Sequence, residues 1–272
     1  MEFNPTSASV ETEGCDLHFW YQGTGPLLIM IPGGGGIGRQ FNLLFEHLDE
    51  QFTVCTYDRR QTNASKVNEN KLMNPAQQAR DIIAIVTALG RQKTSIFANS
   101  GGGIIAFQFA ISYPEFLDHV IAHETPTTSL LDNSTYRLDR AFQLVDTYRK
   151  HGVRAAFQAF MGEMKGYQDY VPAEVLSQED AENFWENEYL VFTIYCPELR
   201  KIVENGVSIA VAAGLASEDA FYAVTTIHQS EILNCPRFIF PSHHSGYEAE
   251  PAAFAEKLLA ALEHMEQKRQ LT

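Results

Sequence analysis

Short runs dominated by apolar residues recur along the chain, with helically spaced stretches between them. Leu27 to Ile31, Phe52 to Tyr57, Ser95 to Ala98, His119 to His123, Val207 to Ala213 and Arg237 to Phe240 are too short for helices and suit buried strands. Leu17 to Tyr21, followed by Gln22-Gly-Thr-Gly-Pro26, reads as an early hairpin strand and a turn. Asn74 to Leu89 opens on Asn-Pro, keeps apolar residues on one helical face and stops at Gly90. Gly102 to Ser112, Glu218 to Leu233 and a closing segment from Pro251 are the other helices expected around the strands. Strand and helix in alternation predict the α/β class, with a mostly parallel central sheet flanked by helices.

That rhythm stops between Ser129 and Asn205, where the segments are helix-like, as in Tyr136 to His151 and Glu179 to Tyr195. The expected organisation is therefore a core made of 1–128 and 206–272, with 129–205 as a helical cap. The cap is rich in aromatic and sulfur side chains, Phe157, Met164, Tyr167, Tyr170 and Phe192 among them. Most should hold the cap together, and Trp185, Met161, Phe160 and Tyr189 are the residues expected to contact a substrate.

Composition narrows the class of partner. Of 272 residues, 45% are hydrophobic and 20% charged, which is ordinary for a chain that buries a large core. The formal charge of -14 speaks against nucleic acid and anionic membranes, and a neutral small molecule fits better. Cys15, Cys55, Cys196 and Cys235 lie far apart, without the C-x-x-C pair of a zinc knuckle or redox site, so neither of these metal or redox sites is expected. The N-terminus has no basic start followed by an apolar run, and no apolar stretch reaches the roughly 20 residues needed to span a bilayer. The expectation is a cytoplasmic protein, with a homodimer left open.

The candidate chemistry begins at Ser95-Ile-Phe-Ala-Asn-Ser100-Gly-Gly-Gly, which runs from a strand into a helix with Ser100 at the turn. A serine on so sharp a bend needs small residues two before and two after it, and Ala98 and Gly102 comply. The competing reading is a glycine-rich turn for a phosphate, but the P-loop lysine and dinucleotide spacing are missing. An oxyanion needs backbone N–H donors already in place. Gly34, in the run Pro32-Gly-Gly-Gly-Gly-Ile-Gly38 after the first central strand, and Gly101, next to Ser100, are the candidates.

A base should follow the last strand, where Pro241-Ser-His-His-Ser-Gly-Tyr247 offers two histidines. His244, ahead of Ser-Gly-Tyr and seven residues before Pro251, is favoured over His243. For the carboxylate that would orient it there are two places. Glu124 ends the strand after the Ser100 helix, where a buried carboxylate is costly unless paired. Glu218 and Asp219 follow Gly214-Leu-Ala-Ser217, but they also suit a helix start capped by Ser217.

Taken together, Ala98-Asn-Ser100-Gly-Gly, His123-Glu124-Thr-Pro-Thr and His244-Ser-Gly-Tyr resemble the α/β-hydrolase superfamily across nearly the whole chain. The segment Tyr57-Asp-Arg-Arg looks like that family's post-strand turn, with Gln61 where glycine is usual. Within the superfamily, His-Glu-x-Pro-Thr and the small-residue loop at Gly34 are similar to the fungal zearalenone lactonases. The resemblance implies an α/β-hydrolase fold with a helical cap. Ser100 would then attack an ester or lactone carbonyl, His244 shuttle the proton, Glu124 orient His244, and Gly34 and Gly101 bind the oxyanion, with no cofactor. A C–C bond hydrolase or haloperoxidase-like enzyme on the same residues, and a small-molecule receptor with a vestigial site, are the alternatives.

Overall fold

The computed structural model describes residues 4–167 and 176–271. Its strands are β1 (Thr6–Thr12), β2 (Cys15–Gln22), β3 (Leu27–Ile31), β4 (Thr53–Tyr57), β5 (Lys66–Val67), β6 (Thr94–Asn99), β7 (Leu117–His123), β8 (Ile209–Gly214) and β9 (Arg237–Phe240). They form one sheet in the order β1-β2-β4-β3-β6-β7-β8-β9, with β5 paired to β2. The strands from β4 across to β9 are parallel, and β1, β2 and β5 add antiparallel pairs at one edge.

The helices are α1 (Phe45–Leu48), α2 (Pro75–Ala88), α3 (Gly101–Ser112), α4 (Ser134–Met161), α5 (Gln178–Asn183), α6 (Tyr189–Ile194), α7 (Leu199–Glu204), α8 (Phe221–Leu233), α9 (Gly246–Ala249) and α10 (Pro251–Gln270). Side chains alternate across a strand, so Leu27, Ile29 and Ile31 pack with α2 and α3 on one face. Leu28 and Met30 pack with α1 and α10 on the other. A sheet covered on both faces explains why these strands are apolar throughout instead of alternating.

Local signals set the helix ends. Asn74 accepts from the N–H groups of Ala76 and Gln77, and Pro75 takes the first helical position, so α2 starts where Asn-Pro predicts. The helix expected from Glu218 starts instead at Phe221. Glu218 has φ 46, the residue preceding the helix is Ala220, and Ser217 is buried and makes no side-chain cap. The early hairpin also differs: β2 pairs backwards with β1, through Glu13 and Gly14, both at positive φ.

Between β7 and β8 the described chain holds α4 to α7 and no strand. Gly152, at φ 81 and ψ 179, breaks α4 just after the stretch expected to end at His151. One π-helical turn, Phe184–Glu188, joins α5 to α6. Tyr170 lies outside the described residues.

Candidate active site

Ser100 leaves β6 at φ 54 and ψ -127, a conformation that costs a non-glycine residue about 1–3 kcal/mol. The turn is held from both sides: Ser100 N–H donates to His123 O at 2.8 Å, and Gly103 N–H donates to Ser100 O at 2.9 Å. A Cβ on Gly102 would stand 2.5 Å from Ile31 O and 2.8 Å from Pro32 O, so α3 can pass β3 this closely only with glycine there.

Glu124 ends β7 in a second positive-φ turn, at φ 50, with its backbone N–H on Ala212 O. Its side chain is fully buried and doubly bonded. Oε1 accepts from Gly214 N–H at 2.8 Å, and Oε2 accepts from His244 Nδ1 at 2.6 Å. Burial alone would raise this carboxyl, but the adjacent imidazoles of His123 and His244 hold it below the usual carboxylate range. Donation from Nδ1 leaves His244 Nε2 as the free ring nitrogen. His243 does not compete for Glu124: its ring lies tilted against that of Tyr167, with centroids 4.1 Å apart, and its Nδ1 accepts from Ser245 N–H.

Ser100 and His244 open onto one cavity of about 260 Å³, closed on its other side by residues of the β7–β8 insertion. No hydrogen bond joins the serine hydroxyl to the imidazole among the described residues. Gly34 and Gly101 line the same cavity, and their N–H groups make no hydrogen bond among the described residues. Gly33 stands directly against the serine, since a Cβ on it would be 3.0 Å from Ser100 Cβ. Phe160, Met161 and Tyr189, named from the sequence as candidate substrate contacts, also line the cavity.

Trp185 does not. It is buried among the rings of Tyr148, Phe157, Phe160, Phe184 and Tyr189, because it lies in the π-helical turn at the aromatic centre of the insertion. Asp219 and Glu218 are exposed and pair with Lys165, while the carboxylate hydrogen-bonded to His244 is that of Glu124. Ser217, in the position where an acid was sought, is buried beside Glu124 and Tyr222.

Two groups lie in segments noted from the sequence but were assigned no role there. His123 is fully buried behind the site, where its Nδ1 donates to Asn99 Oδ1 at 2.7 Å, and Asn99 Nδ2 reaches Tyr247 Oη at 3.3 Å. Arg59 lies under the glycine loop. One of its terminal nitrogens donates both to Gly33 O at 2.9 Å and to Glu188 Oε2 at 2.8 Å, and Gly35 N–H donates to the same Glu188 oxygen at 3.2 Å. A carboxylate of the insertion thus holds the backbone beside Ser100.

Residues 26–193 match the family model described as alpha/beta hydrolase fold. The chain belongs to the α/β-hydrolase-fold family. It is 26% identical over 268 residues to the uncharacterized hydrolase YraK of Bacillus subtilis (strain 168), covering 94% of this chain and 96% of that one. A 109-residue stretch, 39% of this chain and 38% of the relative, is 30% identical to 2-hydroxy-6-oxo-6-phenylhexa-2,4-dienoate hydrolase of Comamonas testosteroni. Among solved structures, a thermophilic esterase from Thermogutta terrifontis superposes with a TM-score of 0.77 at 16% identity, over 96% of this chain and 99% of that one. That likeness concerns the fold.

Proposed function

We propose that this hydrolase cleaves a carboxylic ester or lactone of an apolar substrate through an acyl-enzyme. The observation that carries the reading is the buried Glu124–His244 pair opening on the same cavity as a serine held at positive φ. His244 Nε2 takes the proton of Ser100 as its Oγ bonds to the carbonyl carbon. The C–O bond then breaks, and the proton passes to the leaving alkoxide. Water, deprotonated by the same nitrogen, attacks the acyl carbon and returns the serine. The negative oxygen of each tetrahedral intermediate is taken by the N–H groups of Gly34 and Gly101. Glu124 keeps His244 in the Nδ1–H tautomer and offsets the positive imidazolium. The missing Ser100–His244 hydrogen bond is compatible with this, since such contacts commonly tighten only with substrate bound.

A lactone is the finer reading, supported by the resemblance of the His123-Glu124-Thr-Pro segment to zearalenone lactonases. The partial likeness to a dienoate hydrolase favours C–C cleavage by the same groups as the second reading. Labelling with a fluorophosphonate tests the shared mechanism: Ser100 should be modified, and Ser100→Ala should lose both labelling and ester turnover while remaining folded. A folded wild type that neither labels nor turns over aryl esters and lactones refutes it.

A further inference from the structure

The α4 wall of the cavity carries two guanidiniums. Arg137 and Arg140 are about one helical turn apart, so they share a side of α4, and both line the cavity that holds Ser100 and His244. A single carboxylate serves them: Glu163 accepts from Arg140 Nε at 2.6 Å and from Arg137 Nη1 at 3.2 Å. Among the described residues the remaining polar partner is Gln143, 3.4 Å from Arg140 Nη1. Arg137 Nε is buried with no hydrogen-bond partner among the described residues.

Among the described residues, two cations and one anion leave a positive charge unmatched on this wall. A relay of ring contacts links it to the reacting groups: Arg137 sits 4.6 Å over the Phe221 ring, Phe221 is 5.1 Å from Tyr222, and Tyr222 is 4.6 Å from the His244 ring. The other carboxylate lining the cavity, Glu248, belongs to α9 and has interactions of its own. Each guanidinium offers five N–H donors in a fixed fork, and Glu163 occupies only part of each. The ligand matching such a fork in apolar surroundings is a carboxylate, which accepts two parallel N–H bonds.

We propose that Arg137 and Arg140 form an anion subsite, and that the substrate is an ester or lactone bearing a carboxylate remote from the scissile bond. The assignment rests on Ser100 and His244 being the hydrolytic centre. The chain's charge of -14 does not oppose it, because distant surface charges are screened beyond about 10 Å in 0.1 M salt while the subsite acts at contact.

Calorimetry with 4-phenylbutyrate and its uncharged isostere 4-phenylbutyramide tests the subsite without turnover. The carboxylate should bind wild type at least about tenfold more tightly, the factor one charge-assisted hydrogen bond supplies. That preference should collapse in Arg137→Gln and Arg140→Gln. Equal affinity of the two probes for wild type overturns the proposal even if a variant fails to fold, and so does a preference that survives in both folded variants. In parallel, the p-nitrophenyl monoester of glutaric acid should exceed p-nitrophenyl butyrate in kcat/KM, with the ratio falling in the variants. Failure of Ser100 to take a fluorophosphonate, with carboxylate binding intact, would refute the hydrolytic centre and leave the subsite standing.

Discussion

Arg59, just after β4, meets Glu188 of the insertion at 2.8 Å, with both side chains out of solvent. Such a pair is not strong evidence of stability by itself, because removing two charges from water offsets much of their attraction. Its value lies in what it holds, the carbonyl of Gly33 and the N–H of Gly35. Removing one partner leaves the other charge uncompensated. Glu188→Met or Arg59→Met should therefore cost about 3–5 kcal/mol of unfolding free energy, and the double variant Arg59→Met/Glu188→Met should lose less than the sum of the singles. Urea unfolding of the four proteins measures this. Single losses below about 1 kcal/mol would mean that the pair contributes nothing specific.

The position of Glu124 yields a kinetic comparison. A carboxylate that fixes the histidine tautomer is worth about three to four orders of magnitude in kcat when replaced by its amide. Glu124→Gln should show a loss of that size, whereas Asp219→Asn, which removes only an exposed partner of Lys165, should change kcat little. Because Glu124 lies below the usual carboxylate range, its contribution to stability is complete above about pH 4.5 and is lost as pH falls through the lower folded value. The acid side of the wild-type stability curve should therefore be steeper than that of Glu124→Gln. The reverse kinetic order for the two variants would move the orienting acid to the loop after β8.

What the sequence could reveal follows from the range of the signal. Apolar runs gave the central strands because both faces of the sheet are covered, as for Leu27 to Ile31. β1 escaped because Thr6–Thr12 is half exposed and holds only two apolar side chains, Ala8 and Val10. The turn at Ser100 and the choice between two acids could be framed locally, since each depends on neighbours in the chain. Gln61 at the usual glycine position shows the same local character, for it adopts φ 68. No local pattern reports Arg59 with Glu188, which are 129 positions apart, or Arg137 with Glu163, which are 26 apart. Trp185 was misassigned because an aromatic stripe does not say which ring faces the void.

His123 makes stability depend on pH in a different window. Burial pushes its imidazole down to about 4, with Glu124 opposing that shift and His244 adding to it. On acidification the unfolded chain takes up a proton near pH 6.5, before the folded protein can. Stability should therefore decline from pH 6.5 to about 4, by about 3 kcal/mol in all. The ring is surrounded by Phe97, Phe240 and Phe254 at 5.5 to 6.1 Å, so phenylalanine fits the space. His123→Phe should flatten this part of the curve, at the cost of the hydrogen bond to Asn99. Urea unfolding between pH 7 and 4 tests the point, and parallel curves for the two proteins would show that another group carries the dependence.

Trp185 and Tyr189 separate packing from recognition, although their rings are only 4.8 Å apart. Tyr189 lines the cavity, whereas Trp185 turns its indole into the insertion and leaves Nε1 buried without a partner among the described residues. Trp185→Phe removes that unpaired donor and some volume, so the lost packing and the relieved N–H oppose each other and the change in stability should stay below about 2 kcal/mol. KM should hardly move. Tyr189→Ala opens the cavity wall and should raise KM for an aryl ester several-fold, with a smaller effect on kcat, as expected when ground-state and transition-state contacts are lost together. Steady-state kinetics with p-nitrophenyl esters distinguish the two. A larger KM effect from Trp185→Phe than from Tyr189→Ala would mean that the indole reaches the substrate after all, through a rearrangement of the turn at Phe184–Glu188.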